Sequence, residues 1–217
     1  MLQFSACIHF LFGLAILIYF GELYCLSDFS VGDLFKISAG RNDSAACFLV
    51  GDVSLPAELD ASVKRLVEEN VISCDFSRHT IGNVPDLSTS TQSFSEMNFA
   101  DSASTPLRFA MARFATTVPI GSSSLRIFEQ SLDVYLATEA GVRSEEGDAR
   151  DVLVVRKYLE FQVARIKSAR GIHIADPTQT SEYLLDSLSD MVQEHDLKAL
   201  GEVVSLVSQG STIRGNG

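Results

Sequence analysis

Apolar residues in the second half of the chain recur at intervals of three and four, the spacing of one buried face of an α-helix. Helix starts are predicted at four places: Pro106, Ser122 or Ser123, about Asp148, and Asp176-Pro177. The third of these helices should run to about Arg170, because Gly171 then supplies a C-terminal stop. A break near His195 divides the last pattern, so this half holds four or five helices.

The first half of the chain predicts one helix, one short strand and a long polar loop. The helix begins near Ser54, with Pro56 in its first turn, and its apolar face continues to about Ile72. The run from Cys47 to Val50 is apolar and short enough to be a strand. Nine of the 18 residues from 88 to 105 are Ser or Thr, which predicts a surface loop over about 84–105.

The first 20 residues form the most apolar stretch of the sequence, and its dense part runs from Phe10 to Phe20. That length is typical of a secretory signal peptide, whereas a membrane-spanning helix needs about 20 apolar residues. Small residues favour cleavage after Ser27, with cleavage after Cys25 as the second choice. Residues 1–27 are therefore predicted to be a signal peptide, and a retained type II membrane anchor is the alternative.

Either cleavage leaves two of the four cysteines, Cys47 and Cys74, in the mature chain. An even number of cysteines in an oxidising compartment predicts one disulfide between them. This bridge is expected to clamp a short extended segment, residues 47–55, along the first helix. Asn42 begins an Asn-Asp-Ser triplet in a polar stretch and is a predicted glycosylation acceptor.

These elements together predict an all-α protein. Residues 28–217 are expected to form a single helical domain, a bundle of five or six helices with a short N-terminal extended segment held by the disulfide. No internal repeat is visible, and no linker separates two hydrophobic patterns. Length agrees with one domain, since the 217-residue chain leaves a body of about 190 residues after cleavage.

The charge of the chain limits its partners. The formal net charge is −11 at pH 7, which argues against nucleic acid, because phosphate recognition needs clustered Lys and Arg. Cations near the end of the third long helix, such as Arg156 and Lys157, are expected to pair with carboxylates of the following segment, residues 182–196. A membrane contact is expected only if the leader is retained.

Motifs for phosphate loops, dinucleotide binding, serine nucleophile elbows and zinc proteases are missing from the sequence. None of the four histidines has Glu three residues before it, so the pattern of a di-iron bundle is also missing. No catalytic residue, cofactor or metal ligand is therefore predicted.

The function predicted from these features is that of a secreted, non-enzymatic binding or interaction protein. A bundle rich in Phe, Leu and Met favours a small apolar ligand or a hydrophobic extracellular surface as its partner. One alternative is a secreted hydrolase, in which His79 or His173 meets a serine hydroxyl and a carboxylate brought from distant positions. A second alternative is a type II anchored ectodomain.

Overall fold

The computed structural model of the protein describes residues 46–211. The signal peptide predicted over 1–27, its two cleavage points and the glycosylation acceptor Asn42 lie outside the described residues. Six helices and one two-stranded sheet form the described part: α1 Ala57–Glu68, β1 Ser73–His79, β2 Pro85–Ser88, α2 Pro106–Arg113, α3 Leu125–Ser144, α4 Arg150–Ala169, α5 Ser181–Ser189 and α6 Leu197–Ser211. The fold is predominantly helical, and the sheet corrects the all-α prediction.

The two longest helices, α3 and α4, form an antiparallel pair at the centre of the fold. Arg170, just past the end of α4, donates a hydrogen bond of 2.6 Å to the backbone oxygen of Ser123, just before α3. The two helices bury Tyr135, Tyr158 and Phe161 almost completely. Since α1, α2 and α5 pack against this pair, the buried apolar side chains form one continuous core.

Local capping residues explain where the shorter helices begin. Thr105 precedes α2, and its hydroxyl accepts a hydrogen bond from the backbone N–H of Arg108. The predicted start at Asp176-Pro177 is instead a single 3-10 turn, Pro177–Gln179, and α5 begins four residues later than Pro177, at Ser181. The hydroxyl of Thr180 caps α5, so the Asp-Pro pair organises the turn before the helix.

The sheet lies where the hydrophobic pattern gave no strand. β1 and β2 are antiparallel, with Cys74 opposite Leu87. Nearly all side chains of β1 are exposed, so the strand is held by backbone pairing and shows no alternation of apolar and polar positions. The predicted strand from Cys47 to Val50 is wrong, because those residues form a turn and an irregular segment.

The Ser/Thr-rich region from 84 to 105 contains β2 and two 3-10 turns, Phe94–Met97 and Phe99–Asp101. Phe94, Met97 and Phe99 are buried in these turns and hold the region against the core. The hydroxyl of Tyr135 donates a hydrogen bond of 2.5 Å to the backbone oxygen of Met97.

The predicted disulfide between Cys47 and Cys74 is confirmed, with the two Cα atoms 6.1 Å apart. The segment that follows Cys47 is hydrogen-bonded to the end of α3, whereas the prediction placed it along α1. The backbone N–H groups of Val50 and Gly51 both donate to the hydroxyl of Ser144, at 3.2 and 3.0 Å. The bridge thus ties this segment to β1 while the hydrogen bonds tie it to α3.

Candidate functional site

A groove of about 1020 Å³ opens on the surface of the described residues. One wall is the end of α1 and the turn that leads into β1. The other wall is the end of α4 and the connecting segment 172–179, and α3 forms the base. We call this surface the groove.

The floor of the groove is apolar. Val163 and Ala164 of α4 are buried there, and Leu132 of α3 is half-buried beside them. Val71 and Ile174 extend this floor onto the two walls, and both pack against the hydrophobic core. A ligand in the groove would therefore meet apolar side chains that already belong to the core and are fixed in place.

Ion pairs between helices fix the sides of the groove. Arg65 of α1 forms an ion pair with Asp133 of α3 and a second one with Glu69, in which Nη1 of Arg65 lies 3.1 Å from Oε2 of Glu69. Burial raises the pKa of the Asp133 carboxyl, and the ion pair with Arg65 opposes that shift. On the other side, Lys167 Nζ lies 2.9 Å from Glu129 Oε1 and connects α4 to α3.

Two charged groups in the groove form no ion pair within residues 46–211. Arg126, in the first turn of α3, donates a long hydrogen bond of 3.4 Å to the hydroxyl of Ser90. Asp176 accepts hydrogen bonds from the backbone N–H and the hydroxyl of Thr178, at 2.9 and 2.7 Å. These hydrogen bonds lower the pKa of the Asp176 carboxyl, so it is ionised at neutral pH. The groove thus offers one cation and one anion to a ligand.

Free backbone groups also line the groove. His173, Ile174 and Ala175 form no backbone hydrogen bond, as donor or as acceptor, to any residue that the structure describes. Ile174 points toward the core, whereas its two neighbours are exposed. The peptide N–H and C=O groups of these three residues therefore have no backbone partner in the described part of the chain, and the three residues line the groove together with its apolar floor.

Residues 49–211 match the model of a family described as a domain of unknown function, DUF7143. The chain belongs to this family. The DUF7143 match contains all six helices and both strands, so it includes every element that builds the groove. No curated protein and no solved structure shows significant similarity to the chain.

The histidines of this DUF7143 chain that fall within the described residues lie far apart in the fold. His79 ends β1, His173 lies in the groove, and His195 lies in a turn before α6. All three are exposed, and none forms a hydrogen bond with a serine hydroxyl within residues 46–211. The arrangement that the hydrolase alternative requires is therefore not assembled in this part of the chain. The two described cysteines are oxidised to the disulfide.

Neither a cluster of metal ligands nor a membrane-spanning helix occurs within residues 46–211. No group of three or more His, Cys, Asp or Glu side chains in that range is arranged to hold a metal ion. In the same range no helix is both long enough and apolar enough to span a bilayer.

Sequence reasoning did not find the groove, because its residues come from four separate regions of the chain. The one local signal is Gly171-Ile-His-Ile-Ala175, an apolar link between two helices. Binding residues are often carried by such loops, and Ile172 is an exposed apolar side chain in this one.

Proposed function

We propose that this protein is a secreted, non-enzymatic binding protein and that the groove holds an extended segment of a partner polypeptide. The observation that carries the proposal is the run of unpaired peptide units at His173, Ile174 and Ala175, placed above an apolar floor. Extended peptides can bind through main-chain hydrogen bonds to free backbone groups, as they do at exposed sheet edges, while alternate side chains enter pockets.

A compact apolar ligand inside the helical core has less support. The largest side chains at the centre are fully buried and contact one another. The rings of Phe94 and Tyr135 have centroids 5.2 Å apart, and those of Phe114 and Tyr135 are 6.0 Å apart. Since the protein's own side chains fill this space, the apolar floor of the groove is the better place for a partner's apolar side chains.

The unpaired charges of the groove favour a partner that carries both signs. Arg126 can form an ion pair with a carboxylate of the partner, and Asp176 can form one with a cation of the partner. A polypeptide supplies both kinds of group along one chain, whereas the long apolar tail of a simple lipid would desolvate the charged sides of the groove at a cost. Charge and free backbone therefore favour the same class of partner.

Support for secretion comes from two features. A signal peptide, as predicted over residues 1–27, would direct the chain to the export pathway. The Cys47–Cys74 disulfide is typical of proteins that fold in an oxidising compartment. An extracellular, disulfide-bonded protein with a solvent-facing groove is suited to recruit another extracellular polypeptide.

A phage-displayed peptide library selected on the folded protein tests the binding proposal. Selected peptides are then measured against Ile172→Asp, which places a charge on an exposed apolar side chain of the groove. Val118→Asp is the matched control, because Val118 is exposed and lies outside the groove. We expect affinity to fall by about tenfold or more for Ile172→Asp only. The proposal is wrong if no peptide is enriched, or if the peptides bind both variants as they bind the wild type.

Intact-mass and N-terminal sequencing of protein from culture medium test the location. Cleavage after Ser27 or Cys25 is expected, together with a gain of two hydrogen atoms on reduction of the single bridge and a glycan on Asn42. A protein that retains Met1 and stays with the membrane fraction would support the type II alternative, in which the same groove faces the outside of the cell.

A further inference from the structure

A second, smaller pocket of about 260 Å³ lies on another part of the surface, away from the groove. It is formed by the first turns of α2 and α4 and by the connection between α5 and α6. Five of its ten lining residues are apolar: Pro106, Leu153, Val154, Met191 and Val192. We call this surface the Asp196 pocket, after the carboxylate that it contains.

Asp196 is only 4% exposed, and its carboxylate has an incomplete set of partners. One oxygen, Oδ1, accepts a hydrogen bond of 2.6 Å from the hydroxyl of Thr105. The other oxygen, Oδ2, lies 3.8 Å from Nε2 of His195, which is beyond hydrogen-bonding distance. No donor among the described residues bonds Oδ2, so that oxygen is available to a ligand in the pocket.

Apart from His195, at 3.8 Å, no charged group of the pocket pairs with Asp196 among the described residues. Arg150 is bound to Asp148, with Nη2 2.6 Å from Oδ2 of that residue, and its side chain is largely exposed. Asp151 adds a second carboxylate to the lining. A nearly buried carboxylate beside apolar walls costs free energy unless a cation and hydrogen-bond donors approach it.

We propose that the Asp196 pocket binds a small primary amine whose ammonium group donates to Oδ2 of Asp196 while its apolar body packs on Val154, Met191 and Val192. The pocket is slightly smaller than the usual range for drug-sized ligands, which limits the ligand to a small molecule. Because this site shares no residue with the groove, the inference stands independently of the proposed function.

Calorimetric titration with phenethylamine tests this proposal, and 2-phenylethanol is the neutral analogue of similar shape. We expect the wild type to bind the amine, and to bind the alcohol about tenfold or more weakly, because the alcohol brings no positive charge. Asp196→Asn should weaken amine binding by a similar factor. Asp190→Asn is the matched control, since Asp190 is an exposed carboxylate near the same connection, and it should bind as the wild type does.

Thermal melting first shows whether Asp196→Asn is folded. If it is not, Val154→Phe replaces it, because a larger half-buried side chain fills the pocket without removing the carboxylate. The groove variant Ile172→Asp should keep amine binding. The proposal is overturned if the wild type does not bind phenethylamine, if it binds the alcohol equally well, or if a folded Asp196→Asn or Val154→Phe protein binds the amine unchanged.

Discussion

The hydroxyl of Thr105 donates a hydrogen bond of 2.6 Å to Asp196, a residue 91 positions away along the chain. The same hydroxyl accepts a hydrogen bond from the backbone N–H of Arg108 and so caps α2. One side chain therefore joins the start of α2 to the turn that precedes α6.

Replacing Thr105 by Val should lower the free energy of unfolding by about 1–3 kcal/mol, because α2 loses its cap and Asp196 stays buried without its donor. Thr105→Ser keeps the hydroxyl and should remain close to the wild type. Urea unfolding followed by circular dichroism measures both. Equal stability of the Val variant and the wild type would show that the hydrogen bond contributes nothing.

A buried ion pair between α3 and α4 gives the second prediction. Glu139 is 1% exposed, and its two carboxylate oxygens accept from Nε of Arg156 and from Nε of Arg143. Arg156 also bridges to Glu160. Glu139→Gln should lower the free energy of unfolding by about 3 kcal/mol, because a buried guanidinium loses the charge of its main partner.

The double variant Glu139→Met with Arg156→Met is the control for that interpretation. It should lose less stability than the two single replacements added together, since hydrophobic residues of similar volume need no charged partner. Urea unfolding of the wild type, Glu139→Met, Arg156→Met and the double variant gives the coupling free energy. A coupling near zero would contradict the assignment of these residues as one buried pair.

Two helical glycines with opposite surroundings give the third prediction. A Cβ atom on Gly141 of α3 would lie 2.5 Å from the backbone oxygen of Phe48 and 2.8 Å from Cγ2 of Val84. Gly141→Ala should therefore destabilise the protein by about 1–3 kcal/mol, although alanine favours helices. Gly201→Ala in α6 meets nothing within 4 Å and should stabilise it by up to about 1 kcal/mol. Thermal melting compares the two, and a stabilising Gly141→Ala would contradict the close approach.

Alkaline stability gives the fourth prediction. Burial raises the pKa of Tyr158 to about 12, and nearby Arg165 partly opposes this. The unfolded chain ionises this tyrosine at its ordinary pKa of about 10, before the folded chain does. The stabilising contribution is thus complete below pH 10 and is lost as the pH rises from about 10 to about 12.

Tyr158→Phe should make the fall in unfolding free energy between pH 9 and about 11.5 less steep. Tyr183→Phe controls for the removal of a tyrosine, because its ring is exposed on α5. Urea unfolding at several pH values measures the slopes. If Tyr158→Phe and the wild type have the same slope, ionisation of Tyr158 is not linked to unfolding.

The ion pairs of Arg156 show where prediction from the sequence ended. Its charge and that of Lys157 were expected to face carboxylates of residues 182–196. Both in fact pair with Glu160 of their own helix, and Arg156 pairs with Glu139 of α3. Opposite charges in a sequence predict that pairs form, but the rotation of one helix against the other decides which side chains meet.

Features that depend on neighbouring residues or on counting residues can be predicted without knowledge of the packing. Helix α4 was predicted from about Asp148 to Arg170 and runs from Arg150 to Ala169. The two agree closely because the spacing of apolar residues and the stop at Gly171 are local features of the sequence. The pairing of Cys47 with Cys74 followed from the two cysteines that the predicted cleavage leaves, and the structure confirms the bridge.

Features that depend on distant residues are set by tertiary packing. A strand needs a neighbouring strand to pair with. The apolar run from Cys47 to Val50 has no such neighbour within the described residues and is irregular, whereas the polar strand β1 pairs with β2. The groove and the Asp196 pocket exist because helices α1 to α6 bring together side chains from separate regions. Chain order and periodicity specify which face of a helix is buried, whereas packing alone decides what that face lies against.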